Sequence, residues 1–316
     1  MFNRRFLRVK ILQALYAHFQ KESTDATLSL KELHHSISRT FDLFLHLLIL
    51  PTELKSQGEK RMEEASQKAI PTDEDLHPNR RFVDNPVIKA IEESARLTRL
   101  CERNKIGWAG QDDAMSRFYK IMRESKAYQT YMNLEDASFR DDKNLLISIY
   151  QDLLPKFDLF HETFQERSIY WDEEDFDYAS YLALQVVKKL DADVNIDDLV
   201  KEAYANKDDR EFVDKLFSET LKLNAETEEL IMEKASNWDA ERIAMLDMLI
   251  MKMAISEIVH FRQIPIKVSM NEYIDIAKSF STPKSGQFIN GIVDKVVQEL
   301  KEQKRVVKVG RGLFEG

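Results

Sequence analysis

Four cations crowd the first ten residues, Arg4, Arg5, Arg8 and Lys10, with no acid between them. In the first turn of a helix each cation opposes the helix dipole by ~0.3–1 kcal/mol. An anionic partner is one reason to keep such a run, and an ordinary solvated helix face is the other. A second cluster lies in FSTPKSGQFINGIVDK, residues 280–295. Thr282 fits an N-cap there and Pro283 the first helical position. Lys284 would then stand beside backbone N–H groups that point outward, and with Ser285 and Gln287 it fits a phosphate cradle. Phe288, four residues on, shares that face. It suits either the core of the last helix or a surface on which a base stacks, worth ~1–3 kcal/mol per base. Asn290–Gly291 follows inside the helix, where glycine costs ~1 kcal/mol relative to alanine, and a close helix–helix approach is the expected reason.

Other chemistry finds little support. His34–His35 and the HETFQ stretch beginning at His161 are the only hints of metal ligation. HETFQ lacks the second histidine of HExxH, and adjacent histidines on a helix point in different directions. No GxGxxG, P-loop, GxSxG or CxxC motif occurs. No catalytic residue, metal or cofactor is expected, and the chain reads as a non-enzyme.

The elements that would position the two clusters are helical. Eight glycines and seven prolines in 316 residues, 43% of them hydrophobic and 32% charged, favour helices and supply one or two cores. A lone cysteine, Cys101, excludes an internal disulfide and suits a reducing cytoplasm. The most apolar run, residues 41–50, is about half the ~20 residues a membrane span needs, so no membrane role is expected. A net charge of −9 argues against a wholesale basic nucleic-acid binder and makes local charge the question. Residues 4–21 read as an amphipathic helix. Helices are also expected at 30–50, 87–104, 111–133, 141–166 and 173–190, with a charged piece at 53–69 and a turn-rich, proline-broken stretch after it. The run at 239–261 is apolar nearly all round, with Glu241–Arg242 at its start and Asp247 and Lys252 its only charges before Glu257, so it should be a buried central helix. Pro265 breaks the chain. SMNE at 269–272 fits a capping box with Ser269 as N-cap, a helix to Phe280 follows, and the last helix runs to about Gln303. The basic tail, 306–316, is expected to be flexible.

RRFLRVKILQALYA and IPIKVSMNEYIDIAKSFSTPKSGQFINGIVDK together resemble the bacterial transcription antitermination factor family NusB. The resemblance covers residues 1–21 and about 207–305. It implies an all-α bundle of two helical halves, enlarged here by a mostly helical insertion at about 22–205. The chain then divides into an N-terminal half, 1–205, a NusB-like C-terminal domain, 206–305, and the tail. The resemblance further implies binding of boxA-like single-stranded RNA jointly with NusE, a small-subunit ribosomal protein, and an indirect link to the RNA polymerase elongation complex, chiefly in rRNA operons. Carried over by position, Arg4, Arg5, Arg8, Lys267, Lys284, Gln287 and Phe288 are the RNA-side residues, and Tyr16 and Asp247 face NusE. Lys284 stands where some relatives carry an acid, which should strengthen RNA attraction, whereas Phe6 interrupts an arginine run, which should weaken it. Two other readings remain: a non-catalytic rRNA-binding adaptor like that attached to rRNA methyltransferases, and a helical protein-interaction scaffold.

Overall fold

The structure, a computed structural model, describes every residue except 23, 236–242, 283 and 314–316. The expected helix-starting Pro283 and the flanking charges Glu241 and Arg242 therefore lie outside the described residues. All regular structure among the described residues is helical, as the all-α expectation required. Among the described residues no helix is long and apolar enough to cross a membrane.

Two compact units form: Ser38–Ala203 with Met1, and Phe2–Ile37 with Tyr204–Gly316. The N-terminal helix groups with the C-terminal residues from Tyr204 onward. The reason is visible in its side chains, since Leu7, Ile11, Leu12 and Leu15 of this helix are fully buried and Arg8 is paired with Glu257.

The Ser38–Ala203 unit is held by an aromatic core. Trp108, Phe118, Phe160, Phe164, Trp171 and Phe176 are all buried, and successive rings meet at centroid distances such as 5.1 Å for Trp108–Phe160 and 5.5 Å for Phe164–Trp171. Each tryptophan also satisfies its N–H: Trp108 donates to the His46 carbonyl at 3.1 Å and Trp171 to the Arg39 carbonyl at 2.7 Å. Serine caps cut two of the expected long helices. Ser94 accepts from the Leu97 amide and separates Pro86–Glu92 from Ala95–Asn104. Ser125 accepts from the Tyr128 amide and separates Asp112–Glu124 from Lys126–Met132. The helix beginning at Phe139 widens into a π turn at Ile149–Leu153 and stops where Pro155 removes a donor, and Asp158–Arg167 resumes the course. The acidic stretch starts a helix as expected, with Asp172 capping Glu173–Lys189.

In the other unit, Met245–His260 is the buried central helix that its composition requires, with Lys252 and Glu257 drawn inside along with the apolar side chains. Lys252 reaches Asn224 at 2.7 Å and Glu228 at 2.5 Å. Around it lie the N-terminal helix (Arg4–Gln20), Lys207–Lys222, Asn224–Lys234, Ile266–Phe280 and the last helix, Ser285–Glu302.

Three local expectations are corrected here. Ser269 is no N-cap: the helix begins at Ile266 behind Pro265, and the Ser269 hydroxyl, fully buried, donates to Glu257 Oε1 at 2.7 Å. Thr282 is not the cap of the last helix either. Lys284 holds that position, and the Thr282 hydroxyl meets the Ser285 hydroxyl at 2.9 Å. Finally, Gly291 makes no close helix approach, because a Cβ there would meet nothing within 4 Å and the residue is exposed. The glycine that does pack is Gly286, whose Cβ would stand 3.6 Å from both Ile274 and Lys278.

Candidate nucleic-acid interface

Asn3 opens the first helix by accepting from the Phe6 amide at 2.8 Å, which sets Arg4 and Arg5 in its first turn and Arg8 one turn later. Each of these arginines finds an acid within its own unit. Arg4 Nε is 3.3 Å from Asp209, with its guanidinium 5.0 Å from the Phe212 ring centroid. Arg5 grips Glu272 with two bonds of 3.0 and 3.1 Å and Asp275 with one of 2.9 Å. The anions that justify cations at this helix start are thus internal carboxylates. Hydrogen bonding to Glu272 outweighs partial burial and raises the Arg5 pKa. The Lys278 ammonium, and then Arg5, hold the Asp275 carboxyl below its usual range.

Arg8 departs from the RNA-side assignment. Its side chain is 3% exposed, and its fork closes on the fully buried Glu257 at 2.7 and 2.8 Å. Ser269 and Tyr273 donate to the same carboxylate, at 2.7 and 3.0 Å. Burial works against the Arg8 charge, but the bonds to Glu257 more than reverse that and raise its pKa. Burial likewise pushes the Tyr273 phenol well up, reinforced by Glu257. An arginine so engaged is a structural ion pair rather than a surface contact.

Asp247 also turns inward. It is 7% exposed and accepts from the Ser285 hydroxyl at 2.8 Å, which ties the central helix to the first turn of the last one. This bond gives the acid in the apolar helix an internal partner. Its other oxygen, Oδ1, has no hydrogen-bond partner among the described residues. Tyr16 is 38% exposed, and its hydroxyl accepts from Gln20, which also approaches Met245.

Lys284 and Gln287 are exposed, Phe288 is partly exposed, and Lys267 is exposed near the start of Ile266–Phe280. Both clusters therefore touch that one helix: Arg5 through Glu272 and Asp275, and the last helix through Gly286 against Ile274 and Lys278. A cleft of about 900 Å³ opens where the chain start meets the Gln263–Pro265 turn, and Arg4, Arg5, Gln263, Val268 and Arg311 are among its lining residues. Among the described residues no group of three or more His, Cys, Asp or Glu is placed to hold a metal ion.

Arg311 lies in the basic tail, 306–316, and is not among the site residues that the resemblance implies. Two tail residues bond to the turn after the central helix: the Val309 amide donates to the Arg262 carbonyl at 3.0 Å and Lys308 to the Phe261 carbonyl at 3.1 Å. Burial lowers the Lys308 pKa to about 8. The signal in the sequence was the pair of glycines that bracket Arg311.

A buried hub built from the first helix and the three C-terminal helices defines an all-helical module with exposed cations and a partly open aromatic at one helix start. The NusB family profile matches residues 172–298. The transcription antitermination protein NusB of Salinibacter ruber is 46% identical over 105 residues, which cover 33% of this chain and 66% of that protein. That of Chloroherpeton thalassium is 33% identical over 44% of this chain and 64% of its own length. That of Natranaerobius thermophilus is 34% identical over 35% of this chain and 81% of its own length. The chain belongs to the NusB family. It spans just under two thirds of the length of the first two of these relatives. No solved structure matches the chain.

Proposed function

We propose that the unit containing Phe2–Ile37 and Tyr204–Gly316 binds boxA-like single-stranded RNA together with a NusE-type small-subunit ribosomal protein, and so acts without catalysis in transcription antitermination, chiefly of rRNA operons. The observation that carries this reading is the start of the last helix. There a partly open Phe288 stands beside exposed Lys284 and Gln287, in a chain similar to transcription antitermination proteins NusB. Phe288 offers the stacking face, Lys284 the phosphate charge and Gln287 an amide for a base edge or sugar. Arg4, Arg5 and Lys267 add backbone contacts. Exposed ion pairs such as Arg5–Glu272 are worth about 0–1 kcal/mol, so an RNA phosphate can displace the carboxylate at little cost. Tyr16 supplies an exposed aromatic for the protein partner.

The test is binding of a boxA-like RNA oligonucleotide, with and without NusE, at two salt concentrations. NusE should tighten binding, and higher salt should weaken it. If NusE adds nothing, and Phe288→Ala combined with Arg4→Ala and Arg5→Ala leaves affinity unchanged, the reading is wrong.

A further inference from the structure

The described chain ends in a turn, Gly310–Leu313, that brings one arginine to the cleft lined by Arg4 and Arg5. The turn is specified by its glycines. Gly310 takes a left-handed φ of 54°, and a Cβ on Gly312 would collide with the Arg262 carbonyl oxygen. The Gly312 amide donates to the Val309 carbonyl at 2.9 Å, and Val309 is itself bonded to Arg262. An arginine flanked by two residues that allow this approach is held at the cleft rather than left to wander.

Its charge is also different in kind from that of its neighbours. Arg4, Arg5 and Arg8 each have an acid partner, whereas Arg311, exposed, makes no ion pair or side-chain hydrogen bond among the described residues. Among the described residues the one acid lining the cleft, Glu272, is already gripped by Arg5. A cleft of about 900 Å³ can take a nucleotide-sized group. An arginine fork matches a phosphate in two-point geometry.

We propose that the Gly310–Arg311–Gly312 turn is a further nucleic-acid contact, in which Arg311 takes an RNA phosphate at the mouth of the cleft beside Arg4 and Arg5. This rests on the RNA reading above and extends the contact surface onto the C-terminal segment.

The experiment uses the full chain and fluorescence anisotropy with the single-stranded boxA-like RNA over a salt series. Arg311→Ala should weaken binding about tenfold, the worth of one charged hydrogen bond. It should also make the slope of log affinity against log salt shallower by about 0.7, because one phosphate contact is lost. Gly312→Val leaves the charge count unchanged but displaces the turn, and it should weaken binding similarly. Thermal unfolding of Arg311→Ala should match the parent, since the side chain is exposed, so that variant stays informative even if Gly312→Val folds poorly. If Arg311→Ala binds as the parent does, or more tightly, while Arg5→Ala weakens binding, the turn is no contact and the RNA reading stands. If the parent does not bind the RNA at all, both readings fall.

Discussion

Arg8 and Glu257 meet in a two-point ion pair of 2.7 and 2.8 Å, with the arginine side chain 3% exposed and the glutamate fully buried. Removing one partner strands the other charge in the core, which costs ~3–5 kcal/mol. Arg8→Ala or Glu257→Ala should therefore lower the unfolding free energy by about that amount in denaturant titrations. Arg8→Met with Glu257→Leu should recover a large part of it, because no lone charge then remains. Single variants within ~1 kcal/mol of the parent would show that the pair is not what holds the first helix.

Phe288 separates stacking from packing. On an RNA-stacking role, Phe288→Ala lowers affinity by ~1–3 kcal/mol, Phe288→Trp retains it, and Phe288→Leu loses most of it despite similar bulk. Anisotropy binding curves decide the matter. Equal affinity for the leucine and tryptophan variants would mean that the ring serves only to pack.

Gly291 offers a gain in stability. It sits inside the last helix with open space where a side chain would go. Gly291→Ala should raise the unfolding free energy by ~0.5–1 kcal/mol through helix propensity and a less flexible unfolded chain. Equilibrium unfolding checks the sign. A stabilised variant that loses NusE or RNA affinity would identify the bare position as a contact surface.

His46 sets an acid limit on the Ser38–Ala203 unit. It is 2% exposed, with its ring 5.7–6.0 Å from those of Phe164, Trp171 and Trp108. Burial first, then the charges of Arg167 and Arg39, push its pKa from 6.5 down to about 3. The unfolded chain takes up a proton below about 6.5 while the folded chain stays neutral. Stability from this group is therefore complete above that pH and is lost as pH falls toward 3, by on the order of a few kcal/mol. Tryptophan fluorescence during thermal unfolding between pH 7 and 4 should show a falling midpoint, and His46→Phe should flatten that fall. An unchanged slope in the variant would assign the acid sensitivity to other groups.

Much of the helical layout was legible in the sequence because apolar spacing and proline positions report it directly. The buried central helix follows from Met245–His260 being apolar nearly all round, and the acidic helix start from Asp172–Asp175. What stayed hidden depended on partners far along the chain. Nothing local tells Arg8, which closes on Glu257, from Arg5, which stays half in solvent. Ser269 matched a capping pattern in its own neighbourhood, yet its hydroxyl was claimed by Glu257, twelve residues back. Gly286 and Gly291 look equally anomalous in sequence, and only the packing of Ile274 and Lys278 distinguishes them. Arg311 sits in a basic tail whose composition alone suggests mobility, and only the fit of Gly312 against Arg262 marks it out.

The pairing of residues 249 positions apart has a consequence for the order of events on the ribosome. At about 5–20 residues per second, the first helix is made ~10–50 s before Glu257 exists to receive Arg8. The continuous stretch Ser38–Ala203 can meanwhile complete its own core. Through that interval the apolar face of the first helix, with Leu7, Ile11 and Leu15, has no final lodging. The nascent chain must keep that face soluble or hand it to a chaperone. Residues made well before their partners are among the last to reach their native place.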